Sequence, residues 1–151
     1  MDVAAFYAGY SAALSDNRIE DWPAFFTEDC RYEVISRANR ERGLPLATMR
    51  YHSRGALTDR AAALANSLVF APRAIAHLVG SVLVLERSGA RCAARSSFAV
   101  YQTLADGDSH LLMAGRTFDQ IQIGAGDVMQ FAQRTVVYDS ERIPGALVYP
   151  V

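Results

Sequence analysis

His77, Asp29, Tyr32, Tyr51 and Asp59 are the side chains whose types could share acid–base work. A histidine among apolar neighbours, at the start of a strand-like run, can take or give a proton near neutral pH. A carboxylate and one or two tyrosines beside it would complete a pocket in which burial tunes each pKa. Nothing in their spacing requires that meeting. Asp29 equally suits a turn before a strand, Tyr32 and Tyr51 suit strands, and Asp59 suits the start of a helix. His77 equally suits a structural role, bonded to backbone or to a partner subunit, and that reading is preferred. His52 and His110 flank turns and are expected to be exposed.

Other chemistries leave no trace. The sequence holds no P-loop, dinucleotide fingerprint, nucleophile elbow or HExxH. The GAG at 124–126 lies between two strand-like runs, where a turn explains it. Three histidines scattered from position 52 to 110, without a carboxylate at helical spacing, give no metal site. Cys30 and Cys92 are two lone cysteines and read as small buried hydrophobes. Fifteen basic residues stand against sixteen acidic ones, with no basic stripe, so no nucleic-acid partner is expected. No window approaches about eighteen apolar residues, so no membrane span is expected. MDVAAFYAGYSAAL lacks a basic n-region and does not read as a signal peptide, so a cytoplasmic place is expected.

The elements that must position these side chains follow from periodicity. Val3, Phe6, Tyr7, Tyr10, Ala13 and Leu14 form one stripe of an amphipathic helix, with Asn17 as its stop. Asp21 reads as an N-cap, with Trp22-Pro23 opening a second short helix. Trp22, Phe25 and Phe26 read as wedges between helices and a sheet. Residues 30–38 read as a strand, NRERGLP as a loop, and residues 48–52 as a short strand. Ser53 caps a third helix with Leu57, Ala61 and Leu64 on its apolar face. NSLVFAPR is expected to be irregular.

Four long strand-like runs then follow, at 74–87, 91–104, 109–123 and 128–140, joined by short glycine-bearing links. Such links make hairpins and antiparallel pairs. One domain over 1–151 is therefore expected: helices and short strands in 1–72, the meander in 74–140, and an apolar tail, 141–151, docked on the sheet or on a partner. Helices first and strands last is the order of an α+β domain. Alternation groups Ile75, His77, Val79, Ser81, Leu83 and Leu85 on one side of the first long strand. It likewise groups Gln130, Ala132, Arg134, Val136 and Tyr138 on the fourth. Arg95, Arg116 and Arg134 come from successive strands and must be solvated or paired, because a bare charge in a sheet is costly. Together with Arg73 and Asp139 they are candidate subunit contacts, where the guanidinium fork suits carboxylates.

The chain resembles the small (beta) subunits of aromatic-ring-hydroxylating dioxygenases of the Rieske type. The likeness spans almost the whole length. It rests on DWPAFFTEDCRYEV, RYHSRGALTDRAAAL, PRAIAHLVGSVLV, AGRTFDQI and QRTVVYDSERIPGALVYPV, in that order. NRERGLP and the final YPV resemble most the branch acting on carboxylated aromatics such as terephthalate. The resemblance implies the cone-like α+β fold of nuclear transport factor 2 and ketosteroid isomerase, with N-terminal helices packed in a strongly curved antiparallel sheet. It implies a non-catalytic assembly subunit with no cofactor of its own. The Rieske [2Fe-2S] cluster and mononuclear iron would sit in a partner large (alpha) subunit, beneath which this chain forms a trimer, as alpha3beta3. Two other readings stay open: a free-standing isomerase, dehydratase or cyclase using the cone pocket, and a ligand-binding module.

Overall fold

The computed structural model describes residues 2–66, 73–105, 107–140 and 149–151. Most of the segment read as irregular (NSLVFAPR), part of the ADGD turn and residues 141–148 of the tail lie outside the described residues.

Helix α1 runs Val3–Ser15, and the Asp2 carboxylate caps it by accepting from the Ala4 N–H at 2.9 Å. It ends where Asn17 takes a left-handed φ of 57° and the Arg18 N–H reaches back to the Ala13 carbonyl. Asparagine tolerates that conformation, so the stop is the one its sequence position indicates. The next turn is a 3-10 helix over Ile19–Phe25. Asp21 lies inside it and does not cap it, because the Arg18 carbonyl already accepts the Asp21 N–H and starts the turn earlier.

Strand β1 is Phe26–Ser36 and leads directly into α2, Arg37–Glu41, where a loop is expected from sequence. The Ser36 hydroxyl accepts from the Asn39 N–H at 3.1 Å, a cap that the charged run after it obscures. A three-residue strand β2, Met49–Tyr51, precedes α3, Arg54–Ala65, and Ser53 caps α3 as its position predicts. The long strands are β3 (Arg73–Ser88), β4 (Arg91–Leu104), β5 (Ser109–Ile123) and β6 (Met129–Tyr138).

One six-stranded sheet has the order β2-β1-β6-β5-β4-β3. The meander β3 to β6 is antiparallel throughout. β1 pairs with β6 in parallel, so the sheet is mixed. Hairpin links fix direction only between consecutive strands, and β1 is separated from β6 along the chain by α2, β2, α3 and the strands β3 to β5. β3, the first of the long runs, is an edge strand. α1 lies along it, and Ser11 and Ser15 bond the His77 carbonyl and N–H, which would otherwise face open space at the edge.

Irregularities in register decide which side chains enter the core. Ser81 has a φ of 49° at a register shift in β3, so Val82 turns inward and Leu83 and Leu85 are exposed. A shift between Phe131 and Gln133 turns Arg134, Val136 and Tyr138 inward, while Gln130 and Ala132 stay on the other side. Neither strand therefore keeps one face along its length, as strict alternation would require. The inward faces meet α1, the 3-10 turn and α3 around Trp22, Phe26, Tyr32 and Phe131, each fully buried. Trp22 and Phe26 are wedges as expected: both stand edge-on to Tyr32, at 5.3 and 5.8 Å.

Gly115 faces Tyr138 across β5 and β6, and a Cβ there would lie 2.8 Å from the Tyr138 Cα and closer still to the Val137 carbonyl oxygen. Backbone cannot yield as a side-chain tip can. Gly115→Ala should therefore cost about 3 kcal/mol or more, read as a lowered urea midpoint.

Candidate functional site

The apolar cone interior holds a connected polar cluster. Asp119 projects inward from β5 on the alternation Met113, Gly115, Thr117, Asp119, Ile121, all buried. Arg134 projects from β6 beside it, and its Nη1 donates to Asp119 Oδ2 at 2.9 Å; the two side chains are 2% and 0% exposed. The same oxygen accepts from the Tyr7 hydroxyl at 2.5 Å and the Thr117 hydroxyl at 2.7 Å. Ser96 adjoins Thr117 at 2.9 Å. The guanidinium also lies 4.5 Å from the Tyr10 ring centroid and 4.7 Å from that of Phe131. Burial pushes the Asp119 carboxyl up, and the Arg134 charge and the Tyr7 and Thr117 hydroxyls oppose it. Burial works against the Arg134 charge too, but Asp119 and the surrounding tyrosines hold it on.

A second layer surrounds the last residues of the chain. The Tyr10 hydroxyl accepts from Trp22 Nε1 at 3.0 Å and donates to the Val151 main-chain oxygen at 2.9 Å. The Tyr32 hydroxyl lies 3.2 Å from that oxygen and accepts from the Val151 N–H at 2.9 Å. His77 Nε2 lies 3.1 Å from the Pro150 carbonyl, which can only accept, so Nε2 carries the proton. Its Nδ1 is buried without a partner among the described residues. Burial lowers the His77 pKa to about 4, the Pro150 carbonyl opposing, so the ring is neutral at pH 7. Burial pushes the Tyr10 hydroxyl up to about 12 and that of Tyr32 well above its ordinary value. All three are neutral donors already engaged with main-chain oxygens. The layer is built to hold carbonyl oxygens; a ring titrating near 4 is a weak base at neutral pH.

Of the acid–base candidates, Tyr32 and His77 come together here, with Tyr51 stacked on Tyr32 at 6.3 Å. Asp29 is exposed and takes a bond from Thr27 at 3.2 Å. Asp59 is exposed on α3, and His52 and His110 are exposed. No carboxylate among the candidates reaches His77. The cavity beside His77, between Tyr10, Val79, Phe98, Arg134 and Val151, is ≈ 10 Å³, room for about one water. Clefts of ≈ 330 and ≈ 290 Å³ lie at Arg31, Arg50 and Gln133, and at Arg91 and Gln120; neither contains His77. Among the described residues no three His, Cys, Asp or Glu side chains gather as a metal ion would need.

The arginines divide. Arg134 is sealed inside the cone and cannot meet a neighbour, contrary to its reading as a candidate subunit contact. Arg95 and Arg116 are exposed on the outer face. Arg73 donates to Gln102 Oε1 at 3.0 Å and lies 5.1 Å from the Tyr149 ring centroid. Asp139 is exposed and pairs with Arg37 at 3.3 Å. Sequence reasoning missed Asp119, Tyr7 and Tyr10 as polar groups. The signal for Asp119 was an acid on the apolar side of a strand, which only a fixed strand face makes visible.

The family model for the ring hydroxylating beta subunit matches residues 11–145. The chain belongs to that family. It is 27% identical over 142 residues to the anthranilate 1,2-dioxygenase small subunit of Burkholderia cepacia, covering 94% of this chain and 88% of that one. It is 27% identical over 140 residues to subunit beta 2 of the terminal oxygenase component of terephthalate 1,2-dioxygenase from Comamonas sp, covering 93% and 90%. A solved Novosphingobium aromaticivorans structure, assigned as the beta subunit of an aromatic-ring-hydroxylating dioxygenase, superposes with a TM-score of 0.89 at 35% identity. That match covers 99% of this chain and 94% of that one. The resemblance read from the sequence and the cone-like α+β fold it implies are both met, apart from the parallel β1–β6 pair.

Two predictions follow from the site in this family member. Asp119→Asn strands a buried guanidinium and should cost about 3–5 kcal/mol, whereas Asp119→Asn with Arg134→Met should cost less than that single change, by urea denaturation. The His77 ring binds its proton more weakly folded than unfolded, so the unfolded chain gains protons first as pH falls. Its contribution is complete above 6.5 and is lost toward about 4. The loss, for a partly buried ring, should be roughly 2 kcal/mol over that window and absent in His77→Gln.

Proposed function

We propose that this chain is a non-catalytic assembly subunit of an aromatic-ring-hydroxylating dioxygenase, active in aromatic catabolism in the cytoplasm. Its partner is a large (alpha) subunit. That subunit would carry the Rieske [2Fe-2S] cluster and mononuclear iron that supply NAD(P)H- and O2-dependent ring dihydroxylation. The family match carries the reading. The named relatives' anthranilate and terephthalate favour a carboxylated aromatic as the substrate of the assembly. In the proposed alpha3beta3 arrangement, a trimer of this rigid sheet holds three large subunits so that one cluster lies near a neighbour's iron.

The outer face of β3, β4 and β5 supports a role in contacts. Cross-strand partners point to the same side of a sheet. Ala76, Tyr101 and Leu111 form one row, Leu78, Ala99 and Ala114 the next, and Leu83, Arg95 and Phe118 another. Leu78, Leu83, Tyr101 and Leu111 are exposed there. Arg116 lies opposite Ser97 on the same face. Apolar ground studded with arginines is the make-up of a subunit interface. The acid–base alternative has less behind it: the cavity beside His77 is about one water in size, and the ring's donor is engaged.

The test is co-expression with a candidate large (alpha) subunit. Leu78→Glu and Arg116→Glu change exposed side chains, so the fold should persist by circular dichroism. Self-association in light scattering, or co-purification with the large subunit, should fall at least tenfold. A wild-type chain that stays monomeric and binds no large subunit overturns the reading.

A further inference from the structure

The Val151 oxygen occupies a receptacle whose parts do not depend on valine. Two tyrosine hydroxyls converge on this one oxygen, at 2.9 and 3.2 Å. Tyr10 already accepts from Trp22 Nε1, which leaves its own proton for the oxygen. His77 supplies a third donor at the Pro150 carbonyl, 3.1 Å away. Each contact is to tail main chain, so any molecule presenting oxygen acceptors in that place would serve. Arg134 lines the same cavity at 2% exposure. Asp119 engages its Nη1, and its Nε is buried without a partner among the described residues. A guanidinium with a donor to spare favours a charged acceptor over a neutral one. The walls beyond, Val79, Phe98 and Val100, are apolar.

We propose that the cone contains a binding site for a small carboxylate with an apolar body, filled in the resting chain by its own Pro150 and Val151. The tail is a tethered occupant: its backbone oxygen takes the carboxylate place and the Val151 side chain, 4% exposed, takes that of the apolar body. Four hydrogen bonds and one small side chain can open locally without unfolding the cone. A free ligand competes with a tethered one at an effective concentration in the millimolar range, so the intact chain answers only to millimolar carboxylate. The inference rests on the cone alone. Its failure would leave the assembly role standing, and failure of that role would leave this site standing.

Isovalerate carries the isopropyl group of Val151 with a carboxylate at the place of its main-chain oxygen, and isovaleramide is its neutral match. In the full chain, hydrogen exchange at the Val151 amide, which donates to Tyr32, should accelerate with isovalerate up to about 20 mM. Isovaleramide should do so at least fivefold less effectively. Tyr10→Phe keeps the Tyr32 bond and should weaken the isovalerate response at least fivefold. A chain lacking residues 149–151, if it folds, should bind isovalerate by calorimetry about tenfold more tightly than the full chain. Unchanged Val151 exchange in the full chain overturns the proposal, as does an equal response to the amide or indifference to Tyr10→Phe. These readouts decide it even if the shortened chain does not fold.

Discussion

A buried ion pair sets the terms inside this cone. Asp119 and Arg134 are both sealed from water, and a charge so placed is tolerable only while its partner and its hydrogen bonds are present. That need fixes much around it. Thr117 must sit two residues before Asp119 on the same face to reach Oδ2, and Tyr7 must arrive from α1 on the far side of the core. Arg134 reaches Asp119 only because the register shift before it turns the strand over. A β6 without that shift would point the guanidinium outward and leave the carboxylate bare. Replacing such a pair by apolar groups is often no loss in stability. Its value here is better understood as register: it tolerates one alignment of β5 with β6.

The tail depends on the same arrangement. Arg134 packs over the Tyr10 ring, and Tyr10 holds Trp22 on one side and Val151 on the other. The path from the ion pair to the last residue is thus one side chain long. His77 adds a tie from the edge strand to the tail, while Ser11 and Ser15 of α1 tie that strand's backbone to the helix. One residue therefore joins edge strand, helix and tail, which explains a histidine whose burial would otherwise only cost stability.

Helix faces, caps at Ser53 and Asn17, the strand spans 91–104 and 109–123 and the hairpin meander were legible because each rests on local chemistry. The parallel β1–β6 pair was not legible, since long-range pairing leaves no mark on either strand. The faces of β3 and β6 failed at Ser81 and Ala132 for a related reason. A bulge is a property of two strands together, and one strand's alternation cannot reveal it. The site suffered from this directly. Arg134 was singled out as a charge to be solvated or paired, but alternation alone could not say which face of its strand is buried; Asp119 passed unremarked on the strand beside it. His77 was recognised as the suggestive titratable group, while its edge position and its backbone bond to the tail came only with the fold.

The outer face is the part of the molecule with room left for a partner. Inside, the described carboxylate, guanidinium and hydroxyls are drawn into one network and the space beside His77 is about one water in size. Outside, β3 ends in exposed Leu83, Val84 and Leu85, and α1 bonds its backbone edge at His77. A long apolar edge strand invites pairing or covering by another chain. Arg95 and Arg116 on the adjacent strands keep that invitation selective, because a partner must bring acceptors to match them. A cone closed over its own tail, with an outer face that is apolar and arginine-bearing, suits a subunit whose work is done at its surface, and any ligand it takes must first displace that tail.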